Sequence, residues 1–347
     1  MTHPLPLWIG TGGKKSQGIY RTMLDTETGK LTEPVLAAEI GNPGFVALNA
    51  ERTRLYSLCN IDGGSVAAFS IGADHSLTPI NTQSTGDGSA SHLSLDRTER
   101  VLFSAQYGSG SITIYPVAED GSIGERAQVI KHSGSGPNKD RQEGPHPHFV
   151  GASPDNRFLL VPDLGADQVV IYRIDHETAT IAPHGVAILA PGSGPRHLKF
   201  SHDGTKIYLI NELSMTVTVF EYEAAFGIMT PIQTIASLPE AMWKVPNKAA
   251  EIRLHPTGKF VYASNRGHDS LAVFSVDGAS GLLSFVEHEA IRGAYPRNFN
   301  IDPTGKWLIA AGRTSNTLSI FAINQESGKL YFTADVLNVP DPICVEY

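Results

Sequence analysis

His255-Pro256-Thr257-Gly258-Lys259-Phe260-Val261-Tyr262-Ala263-Ser264-Asn265-Arg266-Gly267-His268-Asp269-Ser270-Leu271-Ala272-Val273-Phe274 is the stretch whose pattern decides the fold. A tight turn is followed by a short apolar run, a polar loop opening Asn265-Arg266-Gly267, and a second apolar run ending at Phe274. The same order starts again at Ser153-Pro154-Asp155, Ser201-His202-Asp203 and Asp302-Pro303-Thr304-Gly305. The matching loops open Asp163-Leu164-Gly165, Asn211-Glu212-Leu213 and Arg313-Thr314-Ser315. Weaker copies start at Asn49 and Leu95, so the markers recur roughly every 46 to 58 residues. Self-similarity at this period signals an array of small sheets, each built from one repeat.

Within a repeat the runs are short, alternate apolar with polar residues, favour Val, Ile, Tyr and Phe, and end at Gly, Pro, Asp or Asn. Four such strands per unit indicate a propeller blade. Seven segments read as innermost strands: Phe45–Leu48, His92–Leu95, His148–Gly151, His197–Phe200, Glu251–Leu254, Asn298–Ile301 and Ile343–Tyr347. The last has no strand after it, and Leu7 to Gly10 has no first strand before it. The C-terminal strand is therefore expected to complete the N-terminal blade, which closes the ring and removes the exposed edges that invite aggregation. The expectation is an all-β, seven-bladed β-propeller of four antiparallel strands per blade, one domain over residues 1–347. Two insertions, Lys131 to Gly144 and Leu238 to Lys248 with Trp243, are expected to be loops.

Composition narrows the function classes. A formal charge of −8 argues against a nucleic-acid partner, which favours a basic face. It leaves room for a small anionic substrate, because a local cluster of Arg and His can reverse the field inside a cleft. No apolar run approaches a membrane span, and the N-terminal ten residues lack the pattern of a signal peptide. The two cysteines, Cys59 and Cys344, lie in apolar strands and read as buried thiols rather than a disulfide. A cytoplasmic location is expected.

Topology sorts the loops into two rims. The Ser-Pro-Asp and His-Pro-Thr-Gly turns share one rim and carry ordinary turn residues. The loops after strand two, and those entering strand one, share the other. There the unusual side chains collect: His146, His148, Arg196, His197, Glu212, Arg266, His268, Arg297 and Arg313. Loops on a rigid scaffold are the usual home of binding and catalysis. Gly144-Pro145-His146-Pro147-His148-Phe149 is the sharpest segment, since two imidazoles at i and i+2 share a face of an extended strand and titrate near neutral pH. Its structural alternative is a proline-stiffened turn with hydrogen-bonded histidines. A metal reading would need further ligands such as Asp163 or Glu212, and no recognised zinc spacing is present. Arg196 and Arg266 suit bidentate capture of phosphate or carboxylate, and Glu212 suits a base or an orienting partner. Gly10-Thr11-Gly12-Gly13-Lys14-Lys15 lacks the spacing and following helix of a phosphate loop. No Gly-x-Ser-x-Gly elbow occurs.

These segments resemble the seven-bladed propeller lactonase family, which includes propeller-type 6-phosphogluconolactonase and the fungal 3-carboxy-cis,cis-muconate lactonizing enzyme. The similarity runs over nearly the whole chain and is strongest in "GPHPHF", "VPDLG", "GPRHL", "NEL", "SNRGHDS", "PRNF" and the ending "VPDPICVEY". It implies a site of one His, two Arg and a Glu, which fall on His148, Arg196, Arg266 and Glu212. His146, His197, His268, Arg297 and Arg313 are the expected substrate-binding residues. The implied reaction is hydrolysis of a sugar δ-lactone, foremost 6-phosphogluconolactone of carbohydrate metabolism, with no metal and no cofactor required. Cycloisomerisation of a carboxymuconate would use the same residues. A non-enzymatic propeller that binds a protein is the alternative of another class, but it would favour exposed aromatic anchors, and this rim offers chiefly Trp243 and Tyr295.

Overall fold

The computed structural model describes residues 4–242 and 245–347. Among them lie seven four-stranded antiparallel sheets, and the only helical element described is a single 3-10 turn, Glu240–Met242. The fold is the expected seven-bladed β-propeller. Six sheets run in sequence order from first strand to fourth. The seventh is ordered Pro342–Glu346, Leu5–Thr11, Gly18–Leu24, Val35–Glu39, so the C-terminal strand does complete the N-terminal blade. Its register pairs Trp8 with Glu346, Ile9 with Val345 and Gly10 with Cys344. Cys59 and Cys344 are buried and form no disulfide, and burial pushes the Cys59 thiol up to about 11. No helix among the described residues is long and apolar enough to cross a membrane. Trp243 lies outside the described residues.

The chain divides into two compact units. One comprises Met1–Glu39, Lys199–Glu221 and Pro231–Tyr347, the other Ile40–Leu198 and Tyr222–Thr230. In both, the apolar residues of one blade pack against those of the next. In the first unit Tyr262, Leu271 and Val273 meet Phe299, Leu308 and Phe321. In the second, Phe103, Ile112 and Ile114 meet Leu159, Val161 and Ile181. Each such side chain withdrawn from water contributes about 1.5–3 kcal/mol.

A recurring latch ties neighbouring blades. A tyrosine of the second strand donates its hydroxyl to a glycine carbonyl in the next blade's outer turn: Tyr262 to Gly328 at 2.8 Å, Tyr208 to Gly281 at 3.1 Å and Tyr56 to Gly121 at 3.1 Å. Gly328 has φ 73°, and a Cβ there would lie 2.5 Å from the Phe260 ring. Only glycine combines that backbone with that approach.

One innermost strand is shorter than expected. His148–Gly151 was read as strand, whereas the ladder here is Gly151–Ala152. Pro145 and Pro147 have no N–H to donate, and the His146 amide goes to the Asp163 carboxylate instead of a ladder carbonyl. His148 still donates its amide to Pro162 O at 3.0 Å. The segment is thus held against the strand Phe158–Asp163 without being a regular strand itself.

Candidate active site

The expected site residues form two groups, one in each compact unit. In the unit containing residues 40–198, His146, His148, Arg196 and His197 are all buried. His148 and His197 touch edge to face, with ring centroids 5.1 Å apart and His197 Nε2 3.3 Å from His148 Nδ1. One ring must donate at that contact and the other accept. If His148 donates through Nδ1, its Nε2 keeps a lone pair and can take a proton. His92 packs against His197 at 5.2 Å, with Phe45 and Phe149 on its two sides at 4.2 and 4.3 Å. Tyr107 stands edge-on to His148 at 5.5 Å. The histidines are thus walled by aromatic rings.

His146 sits differently. Its ring stacks on Tyr107 at 4.3 Å and 11°, with Nδ1 2.7 Å from Tyr107 O and Nε2 3.0 Å from Glu143 Oε1. Both ring nitrogens have partners, which fits the structural alternative for this residue. Arg196 is buried on the strand Pro195–Phe200, directly before His197.

In the other unit, Glu212 and Arg266 form a buried ion pair, Oε2 to Nη2 at 2.8 Å. Arg266 also donates to Ala249 O at 2.6 Å and Lys248 O at 3.3 Å, and its guanidinium lies over the Tyr295 ring at 5.3 Å. Gly267 makes this loop possible: its φ is 101°, and a Cβ would meet Pro246 O at 2.5 Å. Tyr295 itself has φ 63°, a left-handed conformation that costs a non-glycine residue about 1–3 kcal/mol. Asp269 holds it there by accepting the Tyr295 amide at 2.8 Å.

Arg297, on the strand Pro296–Ile301, completes this group. It forms no hydrogen bond or ion pair among the described residues. Burial first, then the Arg266 guanidinium and also Arg313, push it down to about 10, while Glu212 opposes the shift. Arg313 is tied to Asp341, Nε to Oδ1 at 2.7 Å. The guanidinium groups of Arg266, Arg297 and Arg313 thus share the neighbourhood of Glu212 and Asp341, and Arg297 is the one of the three with no hydrogen-bonded carboxylate among the described residues. An anion is the missing partner that such an array calls for.

His268 has contacts of its own. Its Nδ1 lies 2.7 Å from Ser270 Oγ, and its ring meets His288 of the fourth strand at 5.8 Å. Among the described residues, no three His, Cys, Asp or Glu side chains are grouped as metal ligands. A cavity of about 700 Å³ lies elsewhere in the unit of residues 40–198, lined by turn residues such as Glu51, Arg54, Glu99, Glu119 and His176. None of the expected site residues lines it, and its mixed charges offer no reacting constellation.

The whole chain from residue 6 to 347 matches the model of the family described as Lactonase, 7-bladed beta-propeller. The chain belongs to the seven-bladed β-propeller lactonase family. It is a lactone-hydrolysing enzyme, which sets aside the protein-binding scaffold as the alternative. The chain is 38% identical to the 6-phosphogluconolactonase of Bacillus subtilis over 98% of its own length and 97% of that protein. A crystal structure described as a putative 6-phosphogluconolactonase from Bacteroides fragilis superposes with TM-score 0.93 at 35% identity, covering 99% of this chain and 97% of that one. The Pseudomonas aeruginosa periplasmic gluconolactonase superposes with TM-score 0.94 at 32% identity, covering 99% of each chain.

His92, Phe45 and Tyr107 were not legible as site residues. Two of them lie in or beside apolar strands, where an aromatic ring reads as core. One signal was available for His92: like His148 and His197, it stands at the expected start of an innermost strand.

Proposed function

We propose that this lactonase hydrolyses 6-phosphoglucono-δ-lactone, with His148 as general base and arginine side chains holding the negative charges. We take residues 1–347 as one functional domain. His148 accepts a proton from water through Nε2 while its Nδ1–H donates to His197. The hydroxide adds to the lactone carbonyl carbon, the ring C–O bond breaks, and the proton passes to the departing ring oxygen. Arg196 stabilises the oxyanion, where a well-placed donor is worth about 3–4 kcal/mol. Glu212 keeps Arg266 aimed through their 2.8 Å ion pair. Arg297, with Arg313 beside it, binds the phosphate.

The observation that supports the phosphate assignment is Arg297, a guanidinium with no hydrogen-bonded partner among the described residues, beside Arg266 and Arg313. The same array would also suit the several carboxylates of a carboxymuconate, so the test compares substrates. Purified protein should turn over the phosphorylated lactone at a higher kcat/KM than glucono-δ-lactone, and should leave 3-carboxy-cis,cis-muconate unchanged. Equal rates on the two lactones would remove the phosphate from the proposal; turnover of the muconate would replace it with cycloisomerisation. A cytoplasmic location rests on the two buried cysteines without a disulfide and is tested by cell fractionation.

A further inference from the structure

Behind the segment bearing His146 and His148 lies a buried chain of three side chains to which the proposed hydrolysis assigns no role. His132 Nδ1 is 2.7 Å from Asp163 Oδ2, and His132 Nε2 is 3.0 Å from the Tyr172 hydroxyl. The side chains of His132 and Asp163 are 1% and 0% exposed. The other carboxylate oxygen of Asp163 accepts three amides: His146 at 2.7 Å, Gly165 at 3.1 Å and Ala166 at 3.2 Å. An ionised carboxylate can only accept, so His132 donates to Asp163 through Nδ1, and its Nε2 shares a hydrogen bond with the Tyr172 hydroxyl. Burial, with Asp163 adding to it, pushes the Tyr172 hydroxyl up to about 12, so it remains a donor.

The site of this carboxylate is unusual within the repeat. Asp163 ends the second strand of its blade, where the repeats on either side of Arg266 and Glu212 place Asn265 and Asn211. Those amides hold neighbouring loops without charge: Asn265 donates to Ser237 O at 2.6 Å, and Asn211 to Thr216 and Thr218 at 2.9 Å. Burying a charge costs several kcal/mol unless it is fully hydrogen-bonded. Here the expense coincides with the one segment whose prolines prevent regular strand pairing. The His146 amide is held by Asp163, the Leu164 amide donates to His146 O at 3.0 Å, and the His148 amide donates to Pro162 O at 3.0 Å. All three bonds run to Asp163 or to its immediate neighbours.

We propose that Asp163 and His132 are positioning residues for the reaction, holding the 146–148 segment so that the His148 ring meets His197 in its working orientation. This deepens the proposed function and rests on His148 as the general base. Outer partners of this kind typically change activity by about 10–100-fold when removed, and a displacement near 1 Å has a comparable effect.

The experiment uses the full chain with Asp163→Asn, His132→Phe, His132→Gln and Tyr172→Phe. Asp163→Asn and His132→Phe are expected to lower kcat about 10–100-fold with KM within about twofold. His132→Gln, which can still donate to Asp163, should recover most of that loss. Tyr172→Phe removes only the end of the chain and should have the smallest effect. In parallel, the ring-nitrogen NMR signals of His148 should move in His132→Phe and return toward the wild-type positions in His132→Gln. Should Asp163→Asn fail to fold, the two His132 variants and Tyr172→Phe carry the test. A folded His132→Phe protein with kcat within twofold of wild type and unmoved His148 signals overturns the proposal. So does a loss of kcat that only tracks the unfolded fraction. If the wild-type protein turned over no lactone at all, the functional proposal would fail, while the NMR signals would still decide the positioning role.

Discussion

The two groups of site residues solve opposite problems. Around His148 the protein places three histidines among Phe45, Tyr107 and Phe149, with ring contacts of 4.2 to 5.5 Å. Around Arg266 it places charges: one buried ion pair, one half-buried pair at Arg313, and Arg297 with no hydrogen-bonded carboxylate among the described residues. Imidazoles can be buried neutral at modest cost, whereas guanidinium groups cannot. The first group is therefore suited to moving a proton and the second to holding an anion. The contrast also tells where the fold tolerates change. Loss of a histidine ring removes chemistry, while loss of Glu212 leaves a charge stranded.

Substitutions can break or sharpen that contrast. The largest effect is expected in the histidine group: His148→Gln should lower kcat by about 10²–10⁴ with little change in the urea midpoint. A variant retaining full turnover would remove His148 from the mechanism. Next comes Glu212→Ala, which strands Arg266 and should cost about 3–5 kcal/mol of stability in equilibrium urea unfolding. An unfolding curve close to wild type would mean that the 2.8 Å pair does not neutralise a buried charge.

Arg297→Gln should be milder and more selective. It is expected to raise KM for the phosphorylated lactone about 10–100-fold, corresponding to a charged hydrogen bond of about 1.5–3 kcal/mol, and to leave glucono-δ-lactone kinetics unchanged. An equal effect on both lactones would mean that this arginine does not read the phosphate. The smallest effect concerns pH. Burial lowers the titration of His255 and His288 below the ordinary histidine value, so both favour the neutral form in the folded state. Their stabilisation is complete above about pH 6.5, the unfolded value, and is lost as pH falls through the folded values. His255→Gln should flatten the decline of the thermal midpoint below that pH. An undiminished slope would assign the acid sensitivity to other groups.

Much of this molecule was legible from local pattern. The repeat period, the turn residues and the alternating strands identified the blades, and the missing first strand at the N-terminus pointed to Pro342–Glu346. The candidate site loops stand out because His, Arg and Glu are out of place among turn residues. What escaped detection depended on distant partners. His132 and Asp163 are 31 residues apart, and their pairing has no trace in composition. His146 and His148 looked equivalent at i and i+2, yet Tyr107 O and Glu143 occupy both nitrogens of His146. The contacts of His268 with Ser270 and with His288, twenty residues on, likewise leave no mark in the local pattern.

By itself the sequence determined the all-β class, seven repeats of four strands, and the closure of the first blade by the last strand. Backbone hydrogen bonding and side-chain alternation set those features, and both are written at short range. The tertiary structure alone decided which partners the His146 ring takes, which arginine has no hydrogen-bonded carboxylate among the described residues, and which buried carboxylate accepts the His146 amide. Those outcomes come from side chains tens of residues apart competing for the same partners in a low-dielectric interior, where an unpaired group is costly and each donor must find an acceptor.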